Sequence, residues 1–195
     1  QSFWEKILIP PFILFFQKLY PFNLVNNKNS TVSAAAGGFI FCRSFVFKET
    51  NLYEKIKDKI IDDCNLAKLL KEKGQIWLGL TNDVISKRSY IEIKSIWKMV
   101  LRSAFEQLKN SVPIVLLSVL ALSLIYIFPI ATIISFTLEI SPFNSNHLLL
   151  IPNIVSIMIM SIIIVPTLKF YKVNIFYFIV FPVSGILYIF MTLTS

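Results

Sequence analysis

The chain has 195 residues, is 55% hydrophobic and only 15% charged, too apolar for an ordinary water-soluble domain of this length. Residues 1–110 hold 17 of the 19 Lys+Arg and 10 of the 11 Asp+Glu, a net charge of +7, whereas residues 111–195 are almost uncharged. A basic half beside apolar runs suits anionic lipid headgroups. No basic cluster is interleaved with a nucleic-acid-reading motif, which argues against DNA or RNA as partner.

The opening has no basic stretch before an apolar core and no small-residue cleavage site, so no signal peptide is read. The first residues look like the middle of a domain, and an upstream part is expected. Residues 3–22 are apolar and aromatic but broken by Pro10-Pro11 and Pro21. With Glu5, Lys6 and Lys18 they fit an interfacial or re-entrant segment, with Trp4 and Tyr20 at headgroup level, or a buried Pro-kinked core segment. Residues 23–32 are polar and read as a loop. In residues 33–43, Gly37-Gly38 permits close backbone approach or a positive φ, and Phe39-Ile40-Phe41-Cys42 reads as a short buried strand.

Residues 51–60 are charged and read as a surface helix or loop. Residues 63–73 predict a helix with Leu66, Leu69 and Leu70 as its apolar stripe and Gly74 as its stop. Residues 75–80 read as a strand, followed by a turn at Thr81-Asn82-Asp83 and a second short strand at Val84-Ile85. Residues 92–108 form an amphipathic pattern. Ile93, Ile96, Trp97, Val100, Leu101, Ala104, Phe105 and Leu108 face one side, which suits the membrane interface or packing on the chain's own domain.

Three apolar runs of bilayer length follow, at about 112–136, 148–168 and 174–193. Their prolines, 129, 152 and 182, are tolerated in membrane helices. The first connecting loop carries Glu139 and the only histidine, His147, but no Lys or Arg; the second carries Lys169 and Lys172. This charge bias places residues 1–110 in the cytoplasm and the C-terminus outside. No ionisable residue lies deep in a span, so no ion or proton path is expected. Cys42 and Cys64 lack a CxxC spacing or a nearby histidine, so neither a disulfide nor a zinc site is indicated.

The chemistry centres on Asp62-Asp63 at the head of the 63–73 helix. A helix N-terminus stabilises negative charge through its free N–H groups and its dipole. Carboxylates held there, facing a cleft, can accept a proton from a hydroxyl; equally, they can serve only as caps. Gly37-Gly38 is either a site floor or a strand-entry turn. Arg43 is either a phosphate partner or a solvated cation.

Five strings carry a resemblance: FFQKLYPF (15–22), AAAGGFIFCR (34–43), IDDCNLAKLLKEKG (61–74), IWLGLT (76–81) and IWKMVLRSAFEQLK (96–109). In this order the chain resembles the C-terminal part of a processive-type, inverting family 2 glycosyltransferase, closest to the hopene-associated branch of bacterial membranes. The resemblance implies an α/β fold. Residues 1–110 would be the acceptor-side part of a cytoplasmic GT-A domain, and residues 111–195 an α-helical membrane domain of three spans in the bacterial cytoplasmic membrane. It implies a nucleotide-sugar donor and a lipid or other hydroxyl acceptor. It also implies a divalent metal, Mg or Mn, held by an upstream DxD motif that this chain lacks, its aspartates being only 58, 62, 63 and 83.

In the family pattern Glu/Asp-Asp-x-x-Leu, Asp63 takes the general-base position, Asp62 stands beside it in a place often held by Glu, and Leu66 completes the motif. Gly37 and Gly38 would lie under the acceptor, and Arg43 would reach the diphosphate or Asp62. The family's Gln/Arg-x-x-Arg-Trp motif is matched only loosely by Trp97, Arg102 and Gln107, since no Arg-Trp pair exists. Without the donor half, this chain alone is expected to be inactive. The alternative is a non-catalytic membrane scaffold or subunit with a basic, headgroup- or partner-binding cytoplasmic domain.

Overall fold

The structure is a computed structural model that describes residues 1–46, 52–139 and 147–195. Residue 51 and residues 140–146 of the loop expected between the first two spans lie outside the described residues. The chain is all-helical, 68% helix, with no strand and no sheet among the described residues. This overturns the α/β acceptor-side GT-A domain expected for residues 1–110. The three expected strands, 39–42, 75–80 and 84–85, are non-helical chain without a ladder. The reason is physical: a strand is stabilised by the neighbour that takes its N–H and C=O groups, and no other segment supplies one. Leu78 has both groups engaged in a strand-like way, and the partner is a side chain. The Asn26 carboxamide donates to the Leu78 carbonyl (3.0 Å) and accepts from its N–H (2.7 Å).

The described residues cluster into two units, Leu14–Ser89 and Gln1–Ile13 with Tyr90–Ser195. The smaller is built round a helix, Asp62–Lys73, beginning one residue before the predicted start. Its Leu66 is buried with Leu52 and Ile56 of the short helix Leu52–Ile56; Val46, Leu69 and Leu70 pack against this cluster. Gly74 follows the last turn, and its N–H donates to the Leu70 carbonyl (3.0 Å). The segment after the four-residue helix Phe22–Val25 runs back along this frame. Ala34 in this segment is buried, as is Val25 at the end of the short helix, and the segment is tied down by side chains rather than by a ladder.

The larger unit opens with the helix Phe3–Leu19, whose residues from Leu14 on belong to the other unit. Ser2 and Glu5 form a capping box. The Ser2 hydroxyl accepts from the Glu5 N–H (3.1 Å), and the Glu5 carboxylate accepts from the Ser2 N–H (2.7 Å). The same pair grips the backbone of Tyr90. Its N–H donates to Glu5 (2.6 Å) and its carbonyl accepts from the Ser2 hydroxyl (2.6 Å). The Tyr90 N–H, foremost, holds the Glu5 carboxyl below its usual range.

Pro10 and Pro11 sit inside this helix. A helical proline has no N–H for the carbonyl four residues back, so Pro11 leaves the Ile7 carbonyl without its helical donor. The Ser184 hydroxyl donates to that carbonyl (3.0 Å), and the Tyr188 hydroxyl donates to Leu8 (2.8 Å). Ile7 and Leu8 are buried, which agrees with the core-segment alternative for these residues.

Three helices are long and apolar enough to cross a membrane: Val112–Thr137, Leu150–Phe170 and Ile175–Leu193. The first widens into a π turn at Ser123–Ile127, where the Phe128 N–H reaches the Ser123 carbonyl. Pro129 follows directly and has no N–H for the Ile125 carbonyl, a usual origin of such a turn. The third begins as a 3-10 stretch, Ile175–Val180, capped by the Asn174 side chain accepting from the Phe176 N–H (3.0 Å). Small residues let neighbours approach it closely. A Cβ on Gly185 would lie 2.4 Å from the Tyr126 ring, which packs edge-on to Phe181 at 5.7 Å.

The amphipathic pattern at 92–108 becomes a helix, Ile93–Gln107. It turns Ile96 and Val100 inward and leaves Lys94, Lys98 and Arg102 exposed. Lys109 and Asn110, with φ of 59° and 52°, make the left-handed turn into the first apolar helix.

Candidate functional site

The site grows from the first turn of the Asp62–Lys73 helix. Ile61 precedes it and has no side-chain oxygen to cap with, so the two aspartates take the free N–H groups. The Asp62 carboxylate accepts from the Asp63 N–H (3.0 Å), and Asp63 Oδ1 accepts from the Cys64 N–H (2.7 Å). Asp63 Oδ2 points away from its own helix and accepts from the Gly37 N–H at 2.7 Å. Residues 26 positions apart are thereby joined, and two of the residues singled out from sequence meet directly.

Gly37 matters there through proximity, not through φ. Neither Gly37 nor Gly38 has a positive φ, but a Cβ on Gly37 would lie 3.1 Å from Asp63 Oδ2. Gly38 has open space where its Cβ would be. Asp62, Gly37, Gly38 and Arg43 are exposed and Asp63 is half-buried. The result is an accessible carboxylate with a fixed orientation. Two N–H donors hold it, one per oxygen, and each oxygen keeps a further lone pair for a hydroxyl proton. The caps and the exposed carboxylate are therefore the same residues, so the two roles weighed from sequence are compatible.

Cys64 lines the inner side. Its thiol donates to the Ala35 carbonyl (3.7 Å), and burial pushes it up to about 11, with the Asp63 charge adding to the rise. It is thus a protonated spacer at neutral pH, not a nucleophile.

Trp97, Arg102 and Gln107 belong to the other unit. The Trp97 indole N–H donates to the Thr194 hydroxyl (3.2 Å), which anchors the amphipathic helix to the end of the third apolar helix. Arg102 is exposed and Gln107 half-buried.

Two residues near the site carry no motif and were not singled out. Lys71 donates to the carbonyls of Leu24 (3.2 Å), Val25 (2.8 Å) and Val32 (2.5 Å). Asn26 holds Leu78 as described. The signal for Lys71 was faint: a lysine in the last turn of an otherwise amphipathic helix reads as a dipole partner.

Among the described residues no group of three or more His, Cys, Asp or Glu side chains could hold a metal ion. No protein-family model, curated protein or solved structure matches the chain.

Proposed function

We propose that this chain serves a membrane-bound glycosyltransferase activity, with Asp63 as general base. The supporting observation is the 2.7 Å hydrogen bond from the Gly37 N–H to Asp63 Oδ2. It joins two of the five strings, AAAGGFIFCR and IDDCNLAKLLKEKG, that together carry the resemblance to inverting enzymes. Asp63 accepts the proton of an acceptor hydroxyl. The freed oxygen bonds to the anomeric carbon of a nucleotide-sugar from the face opposite the diphosphate. The anomeric C–O bond breaks, its electron pair leaves with the nucleoside diphosphate, and the configuration inverts. A positioned base of this kind contributes about 10²–10⁴-fold. Asp62 adds negative charge beside the base, and exposed Arg43 is the cation at hand for a diphosphate.

Three helices among the described residues, long and apolar enough to span a bilayer, support a lipid acceptor. The basic balance of residues 1–110 favours the cytoplasmic face. The test is sugar transfer from a panel of nucleotide-sugars into lipid extracts, in membranes carrying the natural gene product or its Asp63→Asn form. Transfer should fall by about 10²–10⁴-fold while membrane insertion and donor binding persist. Normal transfer by Asp63→Asn removes the base role.

The absence of a sheet among the described residues favours a second reading. In it the chain is a non-catalytic membrane subunit whose basic half binds headgroups or a partner. Loss of function in Asp63→Asn without loss of partner or lipid binding decides against it.

A further inference from the structure

We propose that Lys71 is a positioning residue for Asp63, acting through the segment that delivers the Gly37 amide. The inference rests on the base reading of Asp63 given above. An ammonium has three donors and no acceptor, and a lysine in the last turn of an exposed helix ordinarily spends them on water. Here the carbonyls of Leu24, Val25 and Val32 take them. Lys71 lies eight residues beyond Asp63 on one helix, about 12 Å along its axis. The segment from Leu24 to Gly37 is therefore fastened to that helix at both ends, by Lys71 at the front and by Asp63 at the back. Between them the only polar tie from the helix to this segment, among the described residues, is the long contact of the Cys64 thiol with the Ala35 carbonyl.

No ladder holds this stretch, so the place of the Gly37 N–H is set by its fastenings. Removing the front one leaves the Gly37–Asp63 bond, the long Cys64–Ala35 contact and the Asn26–Leu78 pair to hold the segment. The amide then spends more time away from the carboxylate, and the carboxylate loses its fixed orientation.

The experiment compares Lys71→Met, which keeps the apolar stem and deletes the donors, with Lys71→Arg, which restores donors. The first readout is hydrogen–deuterium exchange of the peptide covering residues 33–41 in the full membrane protein, with residues 62–73 as the folding control. Lys71→Met should exchange about tenfold faster at 33–41 with the helix still protected, and Lys71→Arg should return towards the parent. The second readout is transfer: kcat falls about tenfold in Lys71→Met with the donor KM unchanged, and Lys71→Arg recovers it.

Unchanged exchange in Lys71→Met overturns the positioning role whatever the activity. Equal loss of protection in the helix overturns it too, since Lys71 is then a folding residue. Faster exchange with normal transfer overturns it as well when Asp63→Asn is inactive. If Asp63→Asn is itself fully active, the base reading has failed and the positioning role falls with it.

Discussion

Gly185→Val tests the packing of the larger unit. A Cβ at this position would stand 2.4 Å from both Cγ and Cδ1 of Tyr126. An ordinary contact needs about 1 Å more, and two further methyls must also be housed. The ring has little freedom to retreat: Tyr126 is 2% exposed and meets the Phe181 ring edge-on at 5.7 Å. Overpacking of this kind costs about 1–3 kcal/mol. Valine recovers only a few tenths of the roughly 1 kcal/mol that glycine loses in a helix. A net loss of about 2 kcal/mol is expected. It is read as unfolding free energy in detergent micelles by helical circular dichroism. Val183→Leu, on a half-exposed position of the same helix, is the control and should change stability by less than about 0.5 kcal/mol. In a Tyr126→Ala background the added side chain fills the vacated space, so the cycle should show a coupling of about 1–3 kcal/mol. If Gly185→Val is as stable as the parent, or its penalty is the same without the ring, the close approach of these two helices is wrong.

Two further outcomes follow from the same geometry. Ser184→Ala should destabilise by about 1–3 kcal/mol, because the buried Ile7 carbonyl loses its donor; in a Pro11→Ala background, where residue 11 regains an N–H, most of that penalty should vanish. In a Cys42→Ser background, Cys64 should alkylate slowly at neutral pH and about tenfold faster per pH unit until near pH 11, against about 9.0 in denaturant. The folded thiol holds its proton more tightly than the unfolded one. Its contribution to stability is therefore fully present below about pH 9 and is lost as pH rises towards 11. Alkylation at the denatured rate would show that Cys64 is not buried beside Ala35.

Helices were legible where periodicity and punctuation agreed. The 63–73 pattern, with Leu66 inward and Gly74 as the stop, became Asp62–Lys73, and the amphipathic stretch at 92–108 became Ile93–Gln107. The three apolar runs needed only length and hydropathy. Strands failed for a reason intrinsic to sheets. Alternation and β-branching show that a segment is willing to pair, but not whether a partner exists. Phe39, Phe41 and Trp77 remain more than half exposed, on segments with the composition of strands and no ladder to join. The Ser2–Glu5 capping box stands in the sequence as S-x-x-E, a signal that the apolar residues after it outweigh.

The candidate site divides along the same line. That two acids at a helix head would hold exposed negative charge follows from local chemistry. That Asp63 would take the Gly37 amide does not, since nothing in the spacing between them fixes it. What makes the meeting possible is the frame around it. Lys71 and Asn26 replace missing ladder bonds with side-chain bonds, and the segment they hold passes close enough to Asp63 that a side chain at residue 37 would press on Oδ2. Of the two uses the sequence offers for the glycine pair, close backbone approach and a positive φ, neither member takes the second. Gly37 instead provides absence of bulk. In this chain the position of the carboxylate thus depends on two polar side chains that no motif contains, and a substitution at either should disturb Asp63 more than one at Gly38, which faces open space.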